Sequence, residues 1–138
     1  MFIKKLHVRC EHQDRFDVLT LIGQVGRPSL LAPETVARAT TVAFPGLPGV
    51  LPGIGRFDPL DWGLGFEIRG DKVPHWTGTA NSPRTVGHFG GAGTFAWSDP
   101  DADTSCVALS DRPFDQWALQ VWPELSDLVL TNGDSRPT

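Results

Sequence analysis

The chain has 138 residues, 40% of them apolar and 20% charged, which suits one globular domain on the usual scale of about 150 residues per domain and excludes a multidomain or disordered chain. Twelve Lys and Arg against sixteen Asp and Glu leave a net charge of −4, without the basic surplus that counterion release on nucleic acid requires. Fifteen Gly and twelve Pro mark a loop-rich fold.

The charge is uneven, since residues 99–138 carry eight acidic and only two basic side chains. Two cysteines far apart in sequence, Cys10 and Cys106, spell neither a disulfide framework nor a paired-cysteine metal site, and reduced thiols are expected. Met1 to Lys5 lacks an apolar stretch behind it, so no signal peptide is read and a cytoplasmic location is expected. The uncharged run Ala39–Gly55 holds three prolines and four glycines and cannot form a spanning helix.

In chain order, residues 1–13 are polar and basic without a clear period and read as a poorly ordered lead-in. Residues 14–130 read as a single domain, and 131–138 as a flexible tail. Asp14–Ile22 predicts a short helix ended by Gly23. Ala32–Ala39 predicts another, because Pro33 suits the first helical position and Glu34 the positive end of the helix dipole. The three Pro-Gly pairs of residues 45–55 predict turns, and Leu47, Val50, Leu51 and Ile54 among them need a cover. A packed connector is the simpler reading of this stretch and a lid the sharper one.

From Trp62 the period becomes two, which predicts a strand with Trp62, Leu64, Phe66 and Ile68 on one face and Gly63, Gly65 and Glu67 on the other. Thr94–Ser98 and Ser105–Leu109 alternate likewise around Asp99–Asp103 and predict an antiparallel hairpin, with Gly87–Gly91 belonging to its first strand or just preceding it. Phe114, Trp117, Ala118, Val121, Leu125, Leu128 and Val129 recur at three and four, an amphipathic helix with a kink or break expected at Pro123. Strands followed by a terminal helix predict an α+β fold, a partial antiparallel sheet with helices packed on one face.

Few motifs carry chemistry. His7, Cys10 and His12 have metal-like spacing but no fourth ligand, and no metal is assigned. Asp99, Asp101 and Asp103 imitate a calcium loop, yet Thr104 stands where its sharp-turn Gly belongs and Ser110 where its bidentate Glu belongs, so a solvated hairpin turn is expected. No G-x-S-x-G elbow occurs. Cys106, with its alternating apolar neighbours, reads as a small core residue, and Trp76 stands out among polar neighbours. The informative stretch is Gly87-His88-Phe89-Gly90-Gly91-Ala92-Gly93, a polar side chain among glycines leading into a strand. Such glycines let a substrate approach the backbone, with an N–H aimed at a developing oxyanion and His88 nearby. A Gly-rich bend around a hydrogen-bonded histidine explains the same residues.

The stretches Leu30–Val36, Trp62–Phe66, His88-Phe89-Gly90 and Leu109-Ser-Asp-Arg-Pro-Phe114 resemble the C-terminal part of the β-lactamase-related serine hydrolases, which include class C β-lactamases, D-alanyl-D-alanine carboxypeptidases and allied esterases. The resemblance implies a β-lactamase/transpeptidase-like fold and acyl-enzyme hydrolysis of an ester, amide or β-lactam. Of the family's three motifs only the third, His-x-Gly, is present. No lysine has a serine three positions before it, and the chain has no tyrosine. By position, His88 corresponds to the side chain that polarises substrate or orients the nucleophile's proton network, and Gly91 to the oxyanion-hole N–H. Gly90 leaves room for the acyl group. Phe89 replaces a common Thr or Ser beside the substrate, which disfavours a carboxylate-bearing β-lactam and favours an ester.

A catalytically silent remnant of such a hydrolase is therefore expected. The rival readings are a non-catalytic interaction module and a hydrolase completed in trans. No cofactor, nucleic acid or membrane is implied. An incomplete sheet exposes an edge, so a homo-oligomer, pairing with another chain, or capture of the chain's own N-terminal segment is expected.

Overall fold

The computed structural model describes residues 6–11 and 32–132. Its elements are β1 (Leu6–Glu11), α1 (Pro33–Thr40), β2 (Gly49–Leu51), β3 (Gly55–Phe57), β4 (Glu67–Ile68), β5 (Val86–Gly90), β6 (Thr94–Asp99), β7 (Thr104–Ser110) and α2 (Gln116–Asn132). A five-stranded antiparallel sheet runs β1-β7-β6-β5-β4, and β2 and β3 form a separate small hairpin. The α+β expectation of an antiparallel sheet with a helix packed on one face therefore holds.

Alternation along the central strands builds the core. Phe95 and Trp97 of β6 and Cys106 and Ala108 of β7 are buried, as are Trp117, Ala118 and Trp122 of α2. Trp122 lies within 5.2–5.9 Å, ring centre to ring centre, of Phe89, Phe95, Phe114 and Trp117. Trp97 Nε1 donates to Ser126 Oγ at 3.1 Å, fixing α2 on the sheet. Truncating a buried aromatic of this kind costs about 3–5 kcal/mol. Pro123 sits inside one continuous α2, so the expected break into two helices does not occur.

The predicted helix at residues 32–39 appears as α1, with Pro33 in its first turn and Glu34 at its positive end. The Pro-Gly stretch folds as the β2–β3 hairpin. Leu51 is buried there, whereas Leu47 and Val50 stay exposed, so the cover expected for them is only partial. The helix predicted over residues 14–22 lies outside the described residues; of the tail predicted over 131–138, Thr131 and Asn132 instead end α2, and the remainder lies outside the described residues.

Three expectations are corrected. The lead-in reading fails at Leu6–Glu11, which pairs antiparallel with β7 along its whole length. The β7 edge supplies the backbone hydrogen-bonding groups that pair this segment. The strand predicted from Trp62 shrinks to Glu67–Ile68, because Gly65 adopts φ +96° and the chain folds back so that Trp62 bridges Glu67. Leu64 is consequently 47% exposed, while Glu67, predicted on the face opposite Trp62 and Leu64, is 2% exposed. Finally, Asp99 is no solvated turn residue. It is 1% exposed and ties residues 82–85 to the β6–β7 turn.

No helix among the described residues is long and apolar enough to cross a membrane.

Candidate active site

β5 places the sequence-predicted residues. Gly87 lies where a side chain has no room, since a Cβ there would stand 2.4 Å from Ala96 O and 2.9 Å from the Trp97 Cα and from the Trp76 ring. Trp76, buried beneath Gly87, thus sets how closely β5 approaches β6. The next residue, His88, points to the other face by strand alternation and is exposed. Its ring meets the Trp62 indole edge-on, with centroids 5.4 Å apart. β4 pairs with β5 only at Val86 and Gly87, so His88–Gly90 continues beyond that ladder.

Gly91 follows immediately, at the start of the turn closed by Gly93 N donating to Gly90 O at 2.9 Å. Gly91 O accepts from Phe114 N at 3.0 Å, and space is open around its Cα. His88, Gly90 and Gly91 are therefore gathered at one strand end. Phe89 is not with them, because its ring packs against Phe114, Trp76 and Trp122 at 5.0, 5.7 and 5.8 Å on the α2 face. On the His88 side Phe89 offers only backbone. Phe89 meets those core rings because strand alternation points consecutive side chains to opposite faces, which the sequence reading did not apply to this motif.

Sequence reasoning missed a buried polar cluster behind β5. Glu67 accepts from Trp76 Nε1 at 2.6 Å and from His75 Nε2 at 3.0 Å, and Lys72 Nζ lies 3.4 Å away. Lys72 also donates to Ile68 O and to Arg69 O, the latter at 3.1 Å. Thr77 N donates to His75 Nδ1 at 3.1 Å, so the proton of the neutral ring sits on Nε2, facing Glu67. Burial pushes the His75 pKa down, and the Glu67 bond only partly opposes it. Burial alone raises the Glu67 pKa, but the bonds from His75 and Trp76 and the Lys72 charge outweigh it and hold the carboxyl below its usual range.

Glu67, His75 and the Thr77 hydroxyl, 2.7 Å from Nδ1, form an acid–histidine–hydroxyl chain. It is a structural bracket, because Thr77 is 3% exposed and its own amide occupies the same nitrogen. The sequence signal for this cluster was Trp76, whose indole N–H needs a partner when buried.

Among the described residues no serine hydroxyl bonds a histidine. Ser82 bonds Asp99, Ser105 bonds Ser98, Ser110 bonds Gly93 O and Arg112 O, and Ser126 bonds Trp122 O. Cys106 is buried in the core on the α2 side. No cluster of three or more metal-ligating side chains occurs among the described residues, and the side chains of His7, Cys10 and His12 lie outside them. As described, the site offers the exposed His88 imidazole as a hydrogen-bonding group and pairs it with no serine hydroxyl among the described residues.

A solved structure named a β-lactamase, from Mycobacterium bovis, matches this fold with a TM-score of 0.76 and 56% sequence identity over 82% of the present chain. The match spans 40% of that protein's length. No protein-family model and no curated protein matches the chain. The chain is thus related to a β-lactamase and carries part of a β-lactamase-like fold.

Proposed function

We propose that this β-lactamase-related chain is one portion, the C-terminal one, of a serine hydrolase site, and that the polypeptide alone is catalytically silent. The observation that carries the reading is the end of β5, where exposed His88 is followed three residues on by Gly91 in the turn, while no serine among the described residues is paired with a histidine. Acyl transfer needs a nucleophile within hydrogen-bond reach of the group that takes its proton. His88 then serves as the substrate-polarising or proton-relaying wall, and the Gly91 N–H as an oxyanion donor worth about 3–4 kcal/mol in a complete site.

The bond cleaved by a complete site of this kind is that of an ester, an amide or a β-lactam, and Phe89, whose ring is in the core, does not choose among them. The test is turnover of nitrocefin and p-nitrophenyl acetate by the purified chain, followed by intact mass after exposure to a fluorophosphonate, which phosphonylates an activated serine with loss of fluoride. The expected result is neither turnover above background nor added mass. An adduct on any serine overturns the proposal.

A further inference from the structure

We infer that Cys10 and Cys106 form a two-cysteine oxidation site, at which a small disulfide of the glutathione class joins them across the β1–β7 ladder and ties the edge strand to the sheet. The inference goes beyond the proposed function and does not depend on it. The two residues lie far apart in sequence, where spacing suggests no bond, yet the register sets them directly opposite one another. Opposed residues of an antiparallel pair share a face, with Cα atoms about 4.5 or 5.5 Å apart according to the type of pair. Both separations fall within the range of about 4.4–6.8 Å that a disulfide spans. Cβ atoms in such pairs stand about 4.5–5.5 Å apart, so closing the bond asks for an approach of up to about 1 Å.

The sheet allows that approach and gives the bond a consequence. β1 ends the strand order and pairs with β7 alone, so among the described residues no second strand restrains it. β7 is held from its other side, because Cys106 lies opposite Trp97, Trp97 opposite Gly87, and Gly87 opposite Glu67. The cysteine pair thus begins a row that crosses all five strands. A bond at its first position fastens β1 to a framework already fixed at the other four. Cys106 is fully buried, so exchange proceeds as the edge strand opens, and reclosure shields the product.

The chemistry balances without a metal or an enzyme. One cysteine thiolate attacks the small disulfide, releasing a small thiolate and leaving a mixed disulfide, and the second cysteine thiolate then displaces the remaining small thiolate. Two protein thiols are oxidised, the small disulfide is reduced to two thiols, and the two protons pass to the departing sulfurs.

The experiment equilibrates the full chain with mixtures of reduced and oxidised glutathione, quenches by alkylation, and reads intact mass and the linked peptides. A species lighter by two hydrogen atoms, with Cys10 joined to Cys106, is expected. Its thermal midpoint should lie about 10 °C above that of the reduced chain and return on adding dithiothreitol. Cys10→Ser, which leaves the core untouched at Cys106, should abolish both changes. The effective concentration of the pair against glutathione should be about a hundredfold higher in the folded chain than in urea. Glutathione adducts without the internal bond, a bond only between two chains, or an unmoved midpoint overturns the inference. An effective concentration equal in the folded and urea-unfolded chain also overturns it, since the fold then does nothing to bring the two cysteines together.

Discussion

Asp99 is the residue whose replacement tests the energetics most directly. Its carboxylate accepts five hydrogen bonds, from Ser82 N at 2.6 Å, Ser82 Oγ at 2.7 Å, Thr85 Oγ1 at 2.9 Å, Asp101 N at 3.0 Å and Ala102 N at 3.3 Å. Burial raises its pKa, and these donors, Ser82 first, outweigh burial and hold it below the ordinary 3.8. Asp99→Asn keeps the shape but turns one oxygen into an NH₂ group that faces donors. If that oxygen is Oδ2, the Ser82 N and Thr85 bonds are lost. Bonds to a charged acceptor are worth about 1.5–3 kcal/mol each, so a loss of about 4 kcal/mol is expected in urea unfolding at pH 7. The sign with pH is set by the depressed native pKa. The Asp99 contribution is complete above the unfolded value near 3.8 and disappears as pH falls through the lower native value. The wild-type advantage over Asp99→Asn should therefore shrink in strong acid. A difference under about 1 kcal/mol at pH 7, or one independent of pH down to 2, refutes the assignment of Asp99 as the hub of this loop.

Glu67→Gln should destabilise by about 3–5 kcal/mol, because it leaves the buried Lys72 ammonium without its counter-charge; chemical denaturation checks this. His75 is neutral when folded and protonates when unfolded below its ordinary 6.5, so its contribution to stability declines as pH falls from there. His75→Asn should flatten the pH dependence of the unfolding free energy below pH 6.5 by the equivalent of up to about one proton. Gly87→Ala forces a Cβ against Ala96 O and the Trp97 backbone and should cost about 3 kcal/mol or more, read as a lowered denaturation midpoint. His88→Ala, at an exposed position with no side-chain hydrogen bond among the described residues, should change stability by less than about 0.5 kcal/mol.

What the sequence disclosed follows from where local signals dominate. The β6–β7 hairpin and α2 were legible because Phe95, Trp97, Cys106 and Ala108 alternate and Trp117, Ala118, Val121 and Leu125 keep helical spacing, although Leu128 of the same stripe is 57% exposed and Trp122, outside it, is fully buried. The Trp62–Ile68 strand was misread because its alternation is genuine while Gly65 takes a positive φ that no period reports. β1 was overlooked although Leu6, Val8 and Cys10 alternate with His7, Arg9 and Glu11, because the charged and polar residues around this short run masked its period of two. The polar clusters were missed for another reason. Asp99 reaches back 17 residues to Ser82, and Glu67 reaches forward nine to Trp76, separations at which no short motif operates.

These two clusters also explain how a strand end can be presented without an apolar support on every side. The segment between β4 and β5 is pinned at Glu67 through His75 and Trp76, and again before β5 through Ser82 and Thr85 to Asp99. Asp127 of α2 adds a third tie, accepting from Thr79 Oγ1 at 3.0 Å and Ala80 N at 2.7 Å. Each pin is directional, so together they fix the register of β5 against β6 and the rotation of its residues, which hydrophobic contact alone leaves adjustable. His88 is held by what lies behind it. That separates the support of the site from its occupancy. Glu67→Gln should disturb the position of His88 without touching a ligand, whereas His88→Ala should remove the ligand contact without loosening β5. Backbone amide exchange at Val86–Gly90 distinguishes the two, rising in the first variant and unchanged in the second; acceleration in both would mean that His88 itself helps hold the strand.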